Sequence, residues 1–249
     1  MSNTSPSSEI PIDLVLPVYN EAHVLEGSVR ALIEASSNWN FPWRILIMDN
    51  ASIDGTDEVG KRLESQLDCV RFVRLPIKGR GHALRWAWTE TDATFSLYMD
   101  IDLSTDIAAI PLAVAALQSG ADLVTGSRLD PESRVTRSFK RELLSRVYNL
   151  LVRLFFWSRT FRDAQCGFKG LRLSSMRPVL ARVQNNHWFF DTELMLITDY
   201  AGFDLRSIPV AWIEDEDSRV NIVQYVMENL AGLSRLRLSM STLARELRK

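Results

Sequence analysis

The stretch that decides the fold of this chain is residues 93–104, which read Ala-Thr-Phe-Ser-Leu-Tyr-Met-Asp-Ile-Asp-Leu-Ser. The uncharged run at residues 93–99 predicts a buried β-strand. Two carboxylates, those of Asp100 and Asp102, follow where this strand ends. Ligands of an open parallel sheet bind outside the carboxyl ends of its strands. The stretch therefore predicts an internal strand and a ligand site at its end.

Strands and helices alternate around this stretch. We predict further strands at residues 12–16, 44–48, 70–75 and 121–125, and helices at residues 22–35, 56–67, 81–90 and 107–118. Nearly continuous apolar strands that alternate with helices are typical of an α/β fold. In such a fold, helices cover both faces of a mostly parallel central sheet.

The pattern changes after residue 126. We predict an Arg-rich loop at residues 127–140, a helix at 138–157, a turn at 165–169, helices near 174–183 and 190–200, a last strand at 203–213, and helical structure over 219–249. The polar residues 1–9 lack the basic and apolar regions of a signal peptide, so we expect a disordered tail there. We accordingly divide the chain into a tail (1–9), an α/β domain (10–218) and an amphipathic helical segment (219–249).

The composition excludes several classes of protein. The chain has 249 residues, of which 46% are hydrophobic, so it is not a disordered protein. Its two cysteines, Cys69 and Cys166, lie far apart, which argues against a disulfide framework or a zinc knuckle. The longest uncharged run, residues 107–121, is shorter than the roughly 20 apolar residues of a membrane-spanning helix.

The charge is divided unevenly along the chain. The total is 29 basic and 31 acidic residues, a net charge of −2. Residues 1–125 contain 9 basic and 17 acidic side chains, a net charge of −8, whereas residues 126–249 contain 20 and 14, a net charge of +6. This division predicts different ligands for the two halves, and we expect no nucleic acid partner.

The pair of carboxylates after the strand at residues 93–99 indicates a metal. Asp100 and Asp102 can converge on one point, where they would repel each other unless a cation lay between them. Mg²⁺ and Mn²⁺ prefer oxygen ligands, and Mg²⁺ often completes its coordination with water and phosphate oxygens. The pair therefore predicts a site for a metal and a diphosphate. Acidic residues also cap helices and turns, and we expect that simpler role for Asp54 and Asp106.

These motifs carry a resemblance to a known family. The first set resembles the family 2 glycosyltransferases with the GT-A fold: Pro17-Val18-Tyr19-Asn20-Glu21, Asp49-x-x-Ser52-x-Asp54-Gly55-Thr56, Gly79-x-Gly81 and Asp100-x-Asp102. The second set resembles the dolichyl- and polyprenyl-phosphate hexosyltransferases, and most closely the dolichyl-phosphate glucosyltransferase branch: Gly126-Ser127-Arg128, Lys140-Arg141-x-x-x-Ser145-Arg146, residues 163–169 and residues 188–193. The resemblance covers residues 10 to about 220.

The resemblance implies a Rossmann-like GT-A domain with a nucleotide-sugar site. Asp49 would accept a hydrogen bond from the imide N–H of the base, and Asp100 and Asp102 would hold Mg²⁺ or Mn²⁺. UDP-glucose is the favoured donor, with GDP-mannose as the alternative. The implied nucleotide-sugar ligands are Pro17, Tyr19, Glu21, Asp49, Lys78, Gly79 and Asp100.

The resemblance also implies an acceptor site for a lipid phosphate, formed by Arg128, Arg141 and Ser145. Arg141 and Ser145 are four residues apart and so share one face of the predicted helix, where both can donate to a phosphate. That helix is basic and amphipathic, which suits a membrane interface with anionic headgroups but also suits a helix packed on the core. Residues 219–249 have similar character and could bind a membrane, a partner protein or a second copy.

The predicted reaction is a single-step, inverting transfer of a hexose to a polyprenyl phosphate by a peripheral protein at the cytoplasmic face of the membrane. The predicted catalytic residues are Asp100, Asp102, Arg128 and Asp191. Two alternatives remain open. In one, the same fold glycosylates a hydroxyl acceptor with Asp191 as its base; in the other, the chain is a docking protein that has kept the fold without catalysis.

Overall fold

A computed structural model describes residues 11–158, 160–214 and 222–247 of the chain. The predicted tail and the boundary at residue 218 lie outside these residues. The strands are β1 (Ile12–Val18), β2 (Trp43–Asn50), β3 (Val70–Leu75), β4 (Phe95–Met99), β5 (Leu123–Ser127), β6 (Arg134–Thr136), β7 (Phe168–Arg172), β8 (Leu205–Pro209) and β9 (Ala211–Ile213). The helices are α1 (Leu25–Ala35), α2 (Thr56–Gln66), α3 (Arg80–Glu90), α4 (Ala109–Gln118), α5 (Phe139–Phe156), α6 (Leu173–Leu180), α7 (Phe190–Ala201) and α8 (Ile222–Leu247).

The described residues form a seven-stranded sheet in the order β3-β2-β1-β4-β7-β5-β8. β1 pairs in parallel with β2 and β4, β2 with β3, and β5 with β8. β7 runs antiparallel to both of its neighbours, β4 and β5. The prediction of an α/β fold with a mostly parallel sheet is therefore confirmed.

Both faces of the sheet are buried, because side chains along each strand alternate between two hydrophobic cores. In β1, Leu14 and Leu16 point into a core that α1, α2 and α4 cover, while Val15 points into a second core covered by α3, α6, α7 and α8. This double burial explains the uninterrupted apolar stretches at residues 14–16 of β1 and 45–48 of β2.

The inserted strand β7 was missed by the sequence analysis, which assigned residues 165–169 to a turn. β7 contains two charged residues, Lys169 and Arg172, and so lacks an apolar run. Its pairing with β4 and β5 holds it in place, and no local pattern predicts that pairing. Gly170 fits there because a Cβ at this position would lie only 3.1 Å from the side chains of Leu97 and Leu117.

The single strand predicted at residues 203–213 is also wrong, because the structure divides it in two. β8 ends at Pro209, which has no N–H to continue the ladder. Beyond it, Val210 N donates to Ser133 Oγ at 3.0 Å, and β9 pairs in parallel with β6 as a separate two-stranded sheet. β6 lies in the segment that we predicted to be a loop.

Helix α8 packs on the body of the domain. Leu233, Leu236 and Met240 are buried in the same core as α7. Gly232 allows the close approach, because a Cβ there would lie 2.3 Å from the ring of Phe189. None of the helices in the described ranges is both long and apolar enough to cross a membrane.

Two glycines inside helices give a matched test of this packing. Gly232→Ala should lower the free energy of unfolding by about 1–3 kcal/mol, because the added methyl group overlaps the ring of Phe189. Gly27→Ala in α1 should raise it by about 0.5–1 kcal/mol, because nothing lies within 4 Å of the new Cβ and alanine favours the helix. Urea unfolding measures both, and stabilisation by both variants would contradict the packing of α8.

Candidate active site

The turns after β1, β2 and β4 each contain a strained residue. Asn20, Ala51 and Leu103 have φ values of 58°, 62° and 53°, in a region that non-glycine residues rarely adopt. Such strain tends to occur at functional sites. Hydrogen bonds of 2.9 Å from Asn20 N to Ser52 Oγ and from Ile53 N to Asn20 Oδ1 join the first two turns.

The predicted base-recognition residue, Asp49, is fully buried at the end of β2. Its Oδ1 accepts a hydrogen bond of 3.0 Å from Ser52 N. Its Oδ2 accepts no hydrogen bond from the described residues, although Arg74 Nε lies 3.7 Å away. A buried carboxylate oxygen without a donor is costly, and a ligand N–H would satisfy it.

The other predicted nucleotide ligands surround the same turn. Lys78 Nζ lies 3.5 Å from the centre of the Tyr19 ring, a cation–π contact. Pro17 is half-buried within β1, and Glu21 N donates to Thr56 Oγ1 at 2.9 Å. Gly79 lies against another loop, because a Cβ there would be 2.7 Å from the carbonyl oxygen of Asn186.

The residues expected to act as simple caps, Asp54 and Asp106, bond to backbone N–H groups of the turns and are not the N-caps of the helices that follow. Asp54 accepts hydrogen bonds from Ala22 N at 3.2 Å and Thr56 N at 3.1 Å. Burial opposes ionisation of Asp54, but the hydrogen bonds from Thr56 and Ala22 outweigh it and lower its pKa. Asp106 Oδ1 accepts a bond of 2.8 Å from Ala108 N.

The predicted metal ligands lie together just beyond β4. The side chain of Asp100 is 39% exposed, Asp102 is exposed, and Asp102 Oδ1 accepts a hydrogen bond of 2.9 Å from Ser104 N. The carboxylate of Asp100 packs against Gly167, because a Cβ added at Gly167 would lie 1.7 Å from Asp100 Oδ2. The described residues contain no group of three or more His, Cys, Asp or Glu that would enclose a metal. Two solvent-reachable carboxylates still fit Mg²⁺ or Mn²⁺, which can complete their coordination with water and phosphate oxygens.

A buried network of charges connects this pair to Asp191. Arg80 NH1 lies 2.6 Å from Asp191 Oδ2, and Arg80 NH2 lies 3.0 Å from Asp100 Oδ1. The hydroxyl of Tyr98 donates to Asp191 Oδ1 at 2.8 Å, and Lys169 Nζ lies 3.4 Å from the same oxygen. Asp191 is thus held by two cations and a phenol.

This network sets the protonation of Asp191. Burial alone would raise its pKa, but the charges of Lys169 and Arg80, with the hydrogen bond from Tyr98, outweigh burial and hold the pKa below its ordinary value. Burial raises the pKa of Tyr98 well above its usual range. Asp191 is therefore an anion, and Tyr98 stays protonated.

Arg128 is held by a second buried carboxylate, Asp163. Arg128 Nε and NH2 lie 2.7 and 3.0 Å from its two oxygens, and Arg128 N donates to it at 3.1 Å. Burial opposes the ionisation of Asp163, but the charge and hydrogen bonds of Arg128 outweigh it and lower its pKa to about 2. A cleft of about 360 Å³ beside this pair is lined by Arg128 and by Arg146 of α5.

The other two predicted acceptor residues lie on α5, as expected. Arg141 NH1 is 2.6 Å from Glu214 Oε1, and Ser138 N, which precedes α5, donates to Glu214 Oε2 at 2.8 Å. Ser145 is half-buried, and its carbonyl oxygen accepts a bond of 2.9 Å from Asn149 Nδ2. In the structure, a carboxylate thus occupies the position in front of Arg141.

Helix α5 buries a polar residue, Asn149, beside the apolar Val152 and Phe156. Its inward side includes the polar residues Tyr148 and Asn149; the Tyr148 hydroxyl donates to Asn229 Oδ1 at 2.7 Å, and Asn149 Oδ1 accepts from Ala164 N at 2.8 Å. Its outward side exposes many apolar residues, with basic residues among them. The exposed apolar residues of α5 and its C-cap are Phe139, Leu143, Leu144, Val147, Leu150, Leu154, Phe155 and Trp157.

Comparison with known proteins places the chain in a family. A sequence model of glycosyl transferase family 2 matches residues 13–180, which include β1 to β5, β7 and the strand-end turns. The chain belongs to glycosyl transferase family 2.

Relatives within family 2 are similar over most of this chain. The chain is 34% identical over 223 residues to glycosyltransferase AglD of Haloferax volcanii, a match that covers 88% of this chain but 35% of AglD. It is 27% identical over 232 residues to a dolichyl-phosphate beta-glucosyltransferase of Drosophila melanogaster, covering 87% of this chain and 70% of that protein. The chain thus spans about a third of the length of AglD.

Solved structures show the same GT-A fold. Glucosyl-3-phosphoglycerate synthase of Mycobacterium tuberculosis, in complex with Mn²⁺, UDP-glucose and phosphoglyceric acid, superposes with a TM-score of 0.65 at 16% identity, over 94% of this chain and 80% of that one. The superposition on this solved structure and the family 2 match therefore agree on the fold.

The sequence analysis missed four members of the site: Arg80, Tyr98, Asp163 and Glu214. Asp163 is the first residue of the motif at residues 163–169, and Arg80 is the variable position of Gly79-x-Gly81, so membership of a motif was an available signal. Tyr98 reads as an ordinary strand residue and Glu214 as part of an acidic run, and neither has a local signal.

Loss of Asp163 should destabilise the protein in a way that depends on pH. At about pH 7, Asp163→Asn should lower the free energy of unfolding by at least about 2 kcal/mol. Its pKa falls from 3.8 to about 2 on folding, and the variant leaves Arg128 without its counter-ion. A depressed pKa stabilises the fold above about pH 4, and this contribution is lost as the pH falls through about 2. Urea unfolding between about pH 7 and pH 3 should therefore show the deficit shrinking.

Asp92→Asn is the matched control, since Asp92 also pairs with an arginine, Arg44, but its side chain is 72% exposed. We expect a change within about 0.5 kcal/mol for this control, as for most surface substitutions. A deficit for Asp163→Asn that stays constant with pH would contradict the assignment.

Proposed function

We propose that this chain transfers a hexose from a nucleoside diphosphate sugar, with UDP-glucose favoured, to a polyprenyl or dolichyl phosphate at the membrane surface. The reaction would use Mg²⁺ or Mn²⁺ and would invert the anomeric carbon. Family membership and the names of the relatives support a sugar transfer. The state of Asp191 is the observation that favours a phosphate acceptor.

A hydroxyl acceptor needs a general base, and Asp191 is the predicted candidate. Both of its oxygens are engaged, Oδ2 by Arg80 and Oδ1 by Tyr98 and Lys169, and its pKa is lowered. Such a carboxylate is a weak base. A phosphate monoester has a second pKa near 6, is mostly anionic at pH 7 and needs no base. The site therefore favours an acceptor that arrives as an anion.

The proposed step is a direct displacement. An oxygen of the acceptor phosphate forms a bond to the anomeric carbon, the bond from that carbon to the diphosphate oxygen breaks, and the diphosphate leaves with the electron pair. No proton changes position. A bound divalent cation would neutralise the charge that develops on the leaving diphosphate. UDP-glucose is an α-glycoside, and the name of the beta-glucosyltransferases supports inversion.

On the donor side, we propose that Asp49 Oδ2 accepts the imide N–H of uracil, which would satisfy its missing hydrogen bond. Tyr19 and Lys78 would flank the nucleotide, with Pro17, Glu21 and Gly79 along its path. Asp100 and Asp102 would hold the metal, and Asp100 would also contact the ribose. The solved neighbour with UDP-glucose and Mn²⁺ supports the choice of donor and cation.

On the acceptor side, we propose that Arg128, Arg141 and Ser145 bind the lipid phosphate. The carboxylate of Glu214 now lies against Arg141 and Ser138 N, and the phosphate would take its place. An arginine can hold a phosphate through two parallel hydrogen bonds, so its part in this site is orientation as well as charge.

The outward side of α5 supports attachment to a membrane. A helix that buries Asn149 and exposes Leu154 is costly in water, because exposed apolar surface contributes about 25 cal/mol per Å² when it is buried elsewhere. The headgroup region of a bilayer accepts such a face, and Arg146 and Arg153 add attraction to anionic lipids. We propose peripheral attachment to the cytoplasmic face. The core-facing side of α8 is occupied, so a membrane partner or a second copy would contact its exposed residues, such as Met227 and Leu238.

Transfer can be tested by incubation with Mn²⁺, radiolabelled UDP- or GDP-sugars and a short polyprenyl phosphate, followed by lipid extraction. We expect label from UDP-glucose in the organic phase as a β-linked product. Asp102→Asn should reduce the rate by about 100-fold or more, because electrostatic groups at the reacting centre commonly contribute this much. Asp106→Asn, which removes a negative charge nearby but keeps an oxygen acceptor for Ala108 N, should stay within about 3-fold. No label with any donor would refute the proposal.

Membrane attachment can be tested by flotation with vesicles that contain anionic lipid. Combined Leu143→Gln, Leu150→Gln and Leu154→Gln should weaken binding by about 10-fold or more, because each change removes apolar burial. Leu112→Gln on α4 is a matched single control for Leu154→Gln, since the two leucines are 54% and 59% exposed. Equal binding by the triple variant and the unchanged protein would exclude α5 as the docking face.

A further inference from the structure

Arg80 has no part in the donor, acceptor or metal roles proposed above, although it contacts both Asp100 and Asp191. We propose that Arg80 is a positioning residue that joins Asp100 to Asp191 in the ligand-free protein, and that a divalent cation displaces it from Asp100. The inference rests on the proposed function in one respect: it takes Asp100 as a metal ligand.

The forked shape of the guanidinium makes this bridge possible. NH1 lies 2.6 Å from Asp191 Oδ2, while NH2 lies 3.0 Å from Asp100 Oδ1 and also donates to the Tyr98 hydroxyl at 3.0 Å. Two nitrogens of one planar group therefore hold two carboxylates from different parts of the chain. A lysine is a point charge and does not present two fixed donors in this way.

The position of Arg80 is fixed by its surroundings. Its guanidinium carbon lies 5.0 Å from the centre of the Tyr98 ring and 5.2 Å from that of Trp188. The start of α3 is also fixed, because a Cβ at Gly81 would lie 2.6 Å from Phe190 Cβ. Arg80 is thus held at both its backbone and its head group.

The two carboxylates differ in how firmly they are held. Asp191 is 2% exposed and has three donors, so its pairing with Arg80 is part of the buried core of the site. The side chain of Asp100 is 39% exposed and lies at the strand end beside Asp102. A cation arriving from solvent can reach Asp100 but not Asp191. Exchange is therefore expected at Asp100, with Arg80 remaining on Asp191.

The exchange predicts that removal of Arg80 strengthens metal binding. Mn²⁺ binding to the ligand-free protein can be followed by the electron paramagnetic resonance signal of free Mn²⁺. Arg80→Met should tighten binding by about 10-fold or more, since it removes a positive charge a few ångströms from the ligand oxygen. Arg80→Lys, which keeps the charge, should stay within about 3-fold of the unchanged protein. In the transfer assay, both variants should lower kcat, because Arg80 stays on Asp191 after the exchange and neither side chain reproduces the fixed, planar contact of the guanidinium.

Arg30→Met is the matched control, because it removes the same charge from an exposed arginine that pairs with Glu26 on α1. Its Mn²⁺ affinity should not change. Thermal unfolding of each variant shows whether it is folded. If Arg80→Met does not fold, the kcat of Arg80→Lys provides the test. Unchanged or weaker Mn²⁺ binding by folded Arg80→Met, or an unchanged kcat for Arg80→Lys, would overturn the proposal.

The two proposals fail in different ways. Mn²⁺ binding is measured without sugar donor or lipid, so the exchange at Asp100 is scored even if no transfer to polyprenyl phosphate is found. If transfer occurs but Arg80→Met binds Mn²⁺ no more tightly, the proposed function stands and the role of Arg80 is rejected.

Discussion

The arrangement of the site depends on one buried ion pair, Arg80 with Asp191. A charge in a protein interior is stable only when it is paired and hydrogen-bonded, so each of these side chains requires the other. Arg80 begins α3 and Asp191 lies in the first turn of α7, and the pair therefore fixes these helices relative to each other. Tyr98 and Lys169 bring β4 and β7 to the same point.

The antiparallel strand β7 contributes directly to the charges around Asp191. β7 lies between β4 and β5, and this position brings the fully buried Lys169 to the carboxylate of Asp191. The residue just before it, Gly167, leaves the space in which Asp100 lies. Strand β7 and the glycine before it thus supply a counter-ion to one carboxylate and room for another, and substitution at Gly167 would displace the side chain of Asp100.

Helix α5 differs from this buried site because it exposes many apolar side chains. Two of its polar residues, Tyr148 and Asn149, are hydrogen-bonded on the inward side, whereas most of its leucines are exposed. Buried polar groups that are fully bonded are tolerated, whereas a continuous exposed apolar face requires another environment. The same helix carries Arg141 and Ser145, so the proposed phosphate site and the proposed membrane face share one helix.

The sequence by itself determined the α/β class, most helix and strand positions and the three acidic strand ends, because these follow from local periodicity and from the rule that ligands bind at strand ends. It left open whether α5 faces the core or a membrane, since both interpretations require the same amphipathic spacing. It gave no sign of β7, whose charged residues are stable in a strand only because β4 and β5 pair with it.

Only the tertiary structure decided the chemistry around Asp191. The sequence permitted Asp191 to be a general base, because a carboxylate near a motif carries no information about its partners. Folding brings Arg80 from 111 residues away and Tyr98 from 93 residues away to its two oxygens. Such long-range contacts set the burial and charge around a group, and these in turn set its pKa. The sequence thus specifies which ionisable residues are present, whereas their protonation and their access to a ligand depend on the fold.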